Sequence, residues 1–363
     1  MLKYLSVITL CTSLNVFADT NENTHISSKN DYLQFNQQTY SPLTRINDYF
    51  PTEKLTFTDS VATSDVYVVK RPSNQTYANK EGPLTIGTYN VLYDGFLFYN
   101  QFDKVPNFDW SLINPQDRLP KVISRIQNLN ADLLCTQEMS EMLFVEVLKA
   151  MPNFSGIFVH SQGADRQGVA LFINQDRFDE IDLSNIHEKN NPNKTHKSAL
   201  YAKLVSNKQP LAVACGHLPW YESWNKNTLT DQQQTEDILA FLTLPEPLAM
   251  LDIKIWLGDF NTTSSTIRAK AGDFLDKNNV NILEDDQSYN TCFDDYEDGE
   301  RLYSIAEKID HILYESSRHY KLDEDPLTTD KRYQSNLSNR EVMLSKDEPS
   351  DHLPVTARLT LSE

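Results

Sequence analysis

Apolar positions along this chain fall into two spacings. From Leu84 onward, short runs rich in β-branched and aromatic residues recur: "LTIGTYNVL", "ADLLCTQE", "GIFVHS", "GVALFIN", "SALYAKLV", "LAVACGHL", "IKIWLGDFN", "KIDHILYE" and "LPVTARLTL". Runs of this length and composition predict strands. Between several of them the spacing changes to three and four. Leu119, Val122, Ile123, Ile126 and Leu129 share one face and predict a helix over 118–130. Ser140 can cap a helix through "EMLFVEVLKAM", and Asp231 one through "QQQTEDILAFL". Many strands with a few interspersed helices predict two sheets packed face to face with helices outside. Upstream, "KLTFTDSVATSDVYVVK" can supply one or two edge strands, whereas residues 19–50 are polar, Asn-rich and weakly patterned. The first stretch, "MLKYLSVITLCTSLNVFADT", has one early lysine and then an apolar run too short to span a bilayer. With Val16 and Ala18 as small residues before a cleavage point, it reads as an export signal cut after Ala18. The expected organisation is a signal over 1–18, an N-terminal extension with edge strands over 19–83, and one domain over 84–363.

The strand-like runs end on polar residues. "TIGTYNVL" carries Asn90, "ADLLCTQE" delivers Glu138, and "LAVACGHL" delivers His217. "IKIWLGDFN" ends in Asp259 and Asn261, which point the same way if both lie in the strand. "KIDHIL" carries Asp310, and "PSDHLPV" places Asp351 and His352 before the last strand. Each has an ordinary reading alone: an Asx turn, a first-turn acid, a core histidine. Together they make a set of carboxylates, imidazoles and amides suited to a hard cation and to acid–base work on a phosphate ester.

Net charge narrows the partners. The sequence holds 33 basic and 51 acidic residues, a net charge of −18. That disfavours affinity through a broad basic footprint, but a bound divalent cation can itself meet a phosphate. Of four cysteines, Cys11 leaves with the signal, and three is an odd number for a disulfide framework. Cys135 and Cys215 lie in apolar strand-like runs and read as small core residues rather than a bridge. Cys292 falls in an acidic stretch, "DDYEDGE" following close behind, that reads as a surface loop.

From Leu84 to the C-terminus, "TYNVL", "DLLCTQE", "GVALF", "CGHL", "WLGDFN", "KIDHIL" and "SDHLPV" resemble, in order and wording, the endonuclease/exonuclease/phosphatase superfamily of metal-dependent phosphodiesterases. The resemblance implies a four-layered α/β sandwich, two packed, mainly antiparallel β-sheets flanked by helices, with the active site at one edge. It implies that Glu138, with Asn90 and Asp351, binds Mg²⁺ or alternatively Mn²⁺. Asp259 corresponds to the acid that orients or deprotonates the attacking water, and Asn261 to the amide that holds a phosphate oxygen. His352 corresponds to the histidine of the "SDH" signature and Asp310 to its carboxylate partner. His217 corresponds to a second histidine at the scissile phosphate. Leu92 stands where abasic-site endonucleases carry an aspartate, and "CGHL" replaces the commoner "NTHL". "KIDHIL" lacks the Cys-Asp-Arg wording of inositol-polyphosphate phosphatases.

The resulting expectation is a secreted or periplasmic Mg²⁺-dependent phosphodiesterase acting on nucleic acid, closest in wording to the deadenylase-like and 2′-phosphodiesterase branches. Trp220, in "HLPWYESW", is an expected stacking contact for a base. The alternative is a sphingomyelinase-type enzyme on lipid head groups, for which "GFLFYNQF" would be the membrane-touching segment. No obligate protein partner is evident.

Overall fold

The structure is a computed structural model, and it describes residues 46, 50–58, 63–71, 82–92, 115–161, 167–190, 198–219, 231–283, 292–298, 301–315, 320–324 and 349–361. The proposed signal, most of the extension, Trp220 and "GFLFYNQF" lie outside the described residues. The first half contains β1 (Glu53–Thr58), β2 (Thr63–Val69), β3 (Leu84–Asn90), α1 (Pro115–Asn128), β4 (Leu133–Ser140), α2 (Glu141–Ala150), β5 (Phe154–His160), β6 (Gln167–Asn174) and β7 (Glu180–Asn190). The second contains β8 (Ser198–Ser206), β9 (Gln209–His217), α3 (Asp231–Leu242), β10 (Ile253–Asp259), α4 (Ser264–Lys277), β11 (Val280–Ile282), β12 (Cys292–Asp298), β13 (Arg301–Glu307), β14 (Asp310–Glu315), β15 (Tyr320–Glu324) and β16 (Val355–Leu361).

Three apolar clusters define four layers. An eight-stranded sheet, ordered β1-β2-β5-β6-β4-β3-β16-β15, faces a six-stranded sheet, ordered β11-β14-β10-β9-β8-β7. Between them pack Ile86, Leu133, Val169 and Leu171 from one side and Leu200, Val213, Ile255 and Leu257 from the other. On the outer face of the first sheet, Leu119, Val122 and Ile126 of α1 and Phe144 and Leu148 of α2 cover Leu134, Phe158 and Phe172. On the outer face of the second, Phe241 of α3 and Ile267 and Leu275 of α4 cover Tyr201, Ala214 and Trp256. Each Val, Leu, Ile or Phe among them contributes about 1.5–3 kcal/mol when fully buried. The four-layered sandwich expected from the sequence is the observed architecture.

The pairings place the site. β3 runs parallel to β4, and β9 parallel to β10, while the other pairings in both sheets are antiparallel. A parallel pair ends at the same edge, so Asn90 lies opposite Gln137, one residue before Glu138, and His217 lies opposite Asp259. β14 is antiparallel to β10 and begins where β10 ends, with Asp310 opposite Asp259.

Two sequence expectations change, and two elements had not been foreseen. The acidic stretch after Cys292 is not a loop as far as Asp298: β12 carries it to there, paired with β13 in a two-stranded sheet. Helix α4 escaped the periodicity because its sequence is mostly polar and contains Gly272, and only Ile267, Ala271 and Leu275 are buried. Thr263 caps it by accepting from the Thr266 amide. Strand β7, "EIDLSNIHEKN", has few apolar residues because it sits at a sheet edge. Finally, Cys135 and Cys215 do form a disulfide, 80 positions apart in sequence. An odd cysteine count did not forbid it, because both residues lie on the inner faces of the two sheets and meet across the core. In the chain-entropy model, closing a loop of this length stabilises the fold by about 4–5 kcal/mol.

Candidate active site

The inner-face alternation of each strand, continued past its last apolar residue, aims the site. On β3, Leu84 and Ile86 face the inter-sheet core, so Asn90 does too. On β9, Leu211, Val213 and Cys215 lead in phase to His217, and on β10 Ile253, Ile255 and Leu257 lead to Asp259. On β14, Ile312 is in phase with Asp310. Glu138 is the exception. Leu133 and Cys135 face inward, which would turn Glu138 outward with Leu134. A bulge corrects this: Thr136 and Met139 of β4 pair with Ala170 and Gly168 of β6, so one extra residue is inserted. Glu138 adopts φ 58°, a left-handed conformation costly for a non-glycine residue. Leu92 and Asn261, just beyond two other strand ends, are also left-handed, at φ 57° and 49°.

Seven expected site residues converge. The Asn90 amide nitrogen donates to Asp259 Oδ2 at 2.9 Å and to Glu138 Oε1 at 3.3 Å, joining the two sheets. His217 Nε2 stands 3.3 Å from Asp259 Oδ2 and 3.9 Å from Glu138 Oε1. His352 Nδ1 meets Asp310 Oδ2 at 2.8 Å, the pairing the family wording implies. Its other nitrogen, Nε2, faces Asp259 Oδ2 at 3.9 Å and Asp351 Oδ1 at 4.0 Å. Glu138, Asp259, Asp310 and Asp351 are all at most 9% exposed.

Two residues are placed differently from the expectation. Strand β10 ends at Asp259, so Asn261 is not its in-phase neighbour. Instead the Asn261 amide N–H donates to Asp259 Oδ1 at 2.8 Å, an Asx turn, and its side chain donates to the Leu218 carbonyl at 2.7 Å. The turn and the site are therefore one feature, with Asp259 serving both. Asn90 turns its nitrogen to the carboxylates, while its Oδ1 accepts from the Leu92 amide at 3.0 Å. As oriented, Asn90 is a donor that spaces Glu138 from Asp259.

Supporting residues were missed. Arg118, 1% exposed, donates to the carbonyls of Val91, Leu92 (2.7 Å) and Pro349 (2.8 Å). It thereby clamps the loop after Asn90 to the loop before Asp351. Its sequence signal was available: Arg118 is four residues before Val122, in phase with the buried stripe of α1. Ser350 donates to the Asn90 carbonyl at 2.8 Å and accepts from the His352 amide at 3.1 Å. Gly258 lies opposite Gly216, and a Cβ on Gly258 would stand 2.3 Å from the Gly216 carbonyl oxygen. A Cβ on Gly216 would meet the Phe241 ring at 2.4 Å, which explains why "CGHL" carries glycine before its histidine.

Four buried carboxylates so close together repel one another unless a cation or protons offset them. Oxygen-rich donor sets of this kind fit a divalent cation such as Mg²⁺ or Mn²⁺. Ligand atoms of Asp259, Asp310 and His352 lie within 4.8 Å of one another. Two further carboxylates stand beside this group: Asn90 bridges Glu138 to Asp259, and Asp351 Oδ1 is 4.0 Å from His352 Nε2. Asp310 already holds His352 Nδ1, so a cation held by the first three would meet Asp259 and the ring's Nε2.

The profile of the "Endonuclease/Exonuclease/phosphatase family" matches residues 87–352, which span every one of these side chains. No curated protein matches the chain. Among solved structures, ANGEL2, described as a 2′,3′-cyclic phosphatase, is similar at 15% identity and a TM-score of 0.57, covering 78% of this chain and 96% of that one. The human Nocturnin catalytic domain is similar at 20% identity and a TM-score of 0.51, covering 77% and 94%. An endonuclease/exonuclease/phosphatase from Bacteroides vulgatus is similar at 18% identity and a TM-score of 0.51, covering 78% and 100%. At these identities the likenesses establish the fold.

Proposed function

The chain belongs to the endonuclease/exonuclease/phosphatase family of phosphoester hydrolases, and we propose that it is an exported, Mg²⁺-dependent phosphodiesterase whose substrate is a nucleic acid. The observation that carries the reading is the convergence of four buried carboxylates and two imidazoles where both parallel strand pairs end. Glu138 and Asp351 would help to hold a divalent cation, which would supply charge neutralisation for a phosphate. Such a charge matters in a chain whose acidic residues outnumber its basic ones, 51 to 33.

The chain's own groups do the rest. Asp259 is fixed through both oxygens, Oδ1 by the Asn261 amide and Oδ2 by Asn90. It orients a water for in-line attack and accepts its proton. Asp310 holds one imidazole nitrogen of His352 and so presents the other, Nε2, to a phosphoryl oxygen. His217, whose Nε2 stands 3.3 Å from Asp259 Oδ2, donates to the leaving oxygen. Export is supported by the N-terminal signal pattern and by the Cys135–Cys215 disulfide, a bond that persists in oxidising compartments.

The test is a substrate panel. The exported chain, stripped with EDTA and reloaded with Mg²⁺ or Mn²⁺, is offered RNA, DNA, a 2′,3′-cyclic nucleotide and sphingomyelin. The reading expects metal-restored cleavage of a nucleic acid or nucleotide. Cleavage of sphingomyelin alone, or full activity in excess EDTA, overturns it.

A further inference from the structure

The disulfide lies directly beneath the active site and joins its two halves. Cys135 is three residues before Glu138 on β4, and Cys215 is two residues before His217 on β9. One strand belongs to the eight-stranded sheet and the other to the six-stranded sheet. Their Cα atoms stand 5.5 Å apart, whereas sheets packed face to face are separated by about 10 Å. The bond therefore ties the two inner faces together at close range. Two thiols in the same place would be pushed apart by sulfur–sulfur contact, by something on the order of 1–2 Å. A shift of that size would take the contacts that cross between the sheets out of reach: 2.9 Å for Asn90 to Asp259, and 3.9 Å for His217 to Glu138.

We propose that Cys135 and Cys215 are positioning residues whose disulfide sets the spacing between the Glu138 half and the His217 half of the site. The chain then acquires its full cation affinity and turnover only on oxidation. The bond forms by thiol–disulfide exchange: two thiols give up two electrons and two protons to a small-molecule or protein disulfide, which leaves as two thiols. Both cysteines are 0% exposed, so exchange precedes closure of the sheets, and the folded enzyme keeps the bond. Chain that folds in a reducing compartment lacks it and has a loosened site. The turnover half of this inference rests on the proposed function; the cation-binding half does not.

The experiment compares the oxidised chain with two volume-conserving pairs, Cys135→Ala/Cys215→Val and Cys135→Val/Cys215→Ala, whose side chains meet at non-bonded distance as two thiols would. Three readouts are taken well below every melting midpoint. Maleimide-PEG labelling in denaturant counts thiols with and without prior reduction. Calorimetric titration with Mn²⁺ measures cation binding without substrate. Hydrolysis of bis(4-nitrophenyl) phosphate gives kcat and KM. The expected result is two additional thiols after reduction, at least about tenfold weaker Mn²⁺ binding in both variants, and kcat lowered by roughly 10²-fold with KM changed less. A purely structural staple would lower the melting midpoint and leave Mn²⁺ affinity and kcat intact. That outcome, or finding no disulfide in the oxidised chain, overturns the inference. Weakened Mn²⁺ binding in the variants of a chain that cleaves no phosphodiester would overturn the functional reading and leave this one standing.

Discussion

The Asp310–His352 pair gives the sharpest test of the site. Asp310 is fully buried, and its Oδ2 meets His352 Nδ1 at 2.8 Å. A hydrogen bond with an ionised partner at that distance contributes about 1.5–3 kcal/mol. At 1.36 kcal/mol per tenfold, that corresponds to roughly 10–150-fold in turnover if the bond acts in the transition state. His352→Ala removes the group that faces the substrate and is expected to lower kcat by about 10²-fold or more. Asp310→Asn keeps the shape but lets an amide N–H face Nδ1, which selects the other ring tautomer, so its loss should be of similar size. The double variant, assayed on bis(4-nitrophenyl) phosphate at saturating Mn²⁺, should then be scarcely worse than the poorer single variant, a coupling of about 1.5–3 kcal/mol. Circular dichroism melts accompany the assay, because His352→Ala leaves a buried carboxylate without that partner. Losses that multiply in the double variant would show that the two residues act separately and would refute the reasoning.

Three further outcomes follow from particular contacts. Glu138→Gln should raise the Mn²⁺ concentration for half-maximal activity at least about tenfold, and Glu138→Gly should melt later than Glu138→Ala by about 1 kcal/mol, since glycine tolerates φ 58°; an Ala variant as stable as the Gly variant would remove the strain. Arg118→Met leaves the Val91, Leu92 and Pro349 carbonyls without that donor, so chemical denaturation should show a loss of about 3 kcal/mol or more, with Arg118→Lys intermediate. Gly258→Ala drives a Cβ into the Gly216 carbonyl, backbone against backbone, and should lower kcat about 10²-fold, whereas Gly272→Ala, whose Cβ meets nothing within 4 Å, should keep kcat and stabilise α4 by up to about 1 kcal/mol.

Which parts of this site could be read from the sequence is decided by whether a residue obeys its own strand. Asn90, His217, Asp259 and Asp310 stand in phase with inward-facing apolar neighbours, so alternation alone points them at the inter-sheet space. Arg118 is equally in phase with the buried stripe of its helix, and a charge on that stripe was a legible sign of a buried clamp. Glu138 is out of phase, and periodicity would have sent it into the helix layer. Its place at the end of the run "ADLLCTQE" and the family wording marked it, but not its direction, because a one-residue bulge leaves no trace in composition. Asn261 marks where alternation stops applying: it lies two residues beyond the end of β10, where the Asx turn takes over. The Cys135–Cys215 bond needs more than either strand can say. Each cysteine's inward direction follows from alternation, but their meeting depends on how far one sheet slides along the other. That offset is fixed by the whole inter-sheet core acting together, so local pattern can nominate both cysteines and still not pair them.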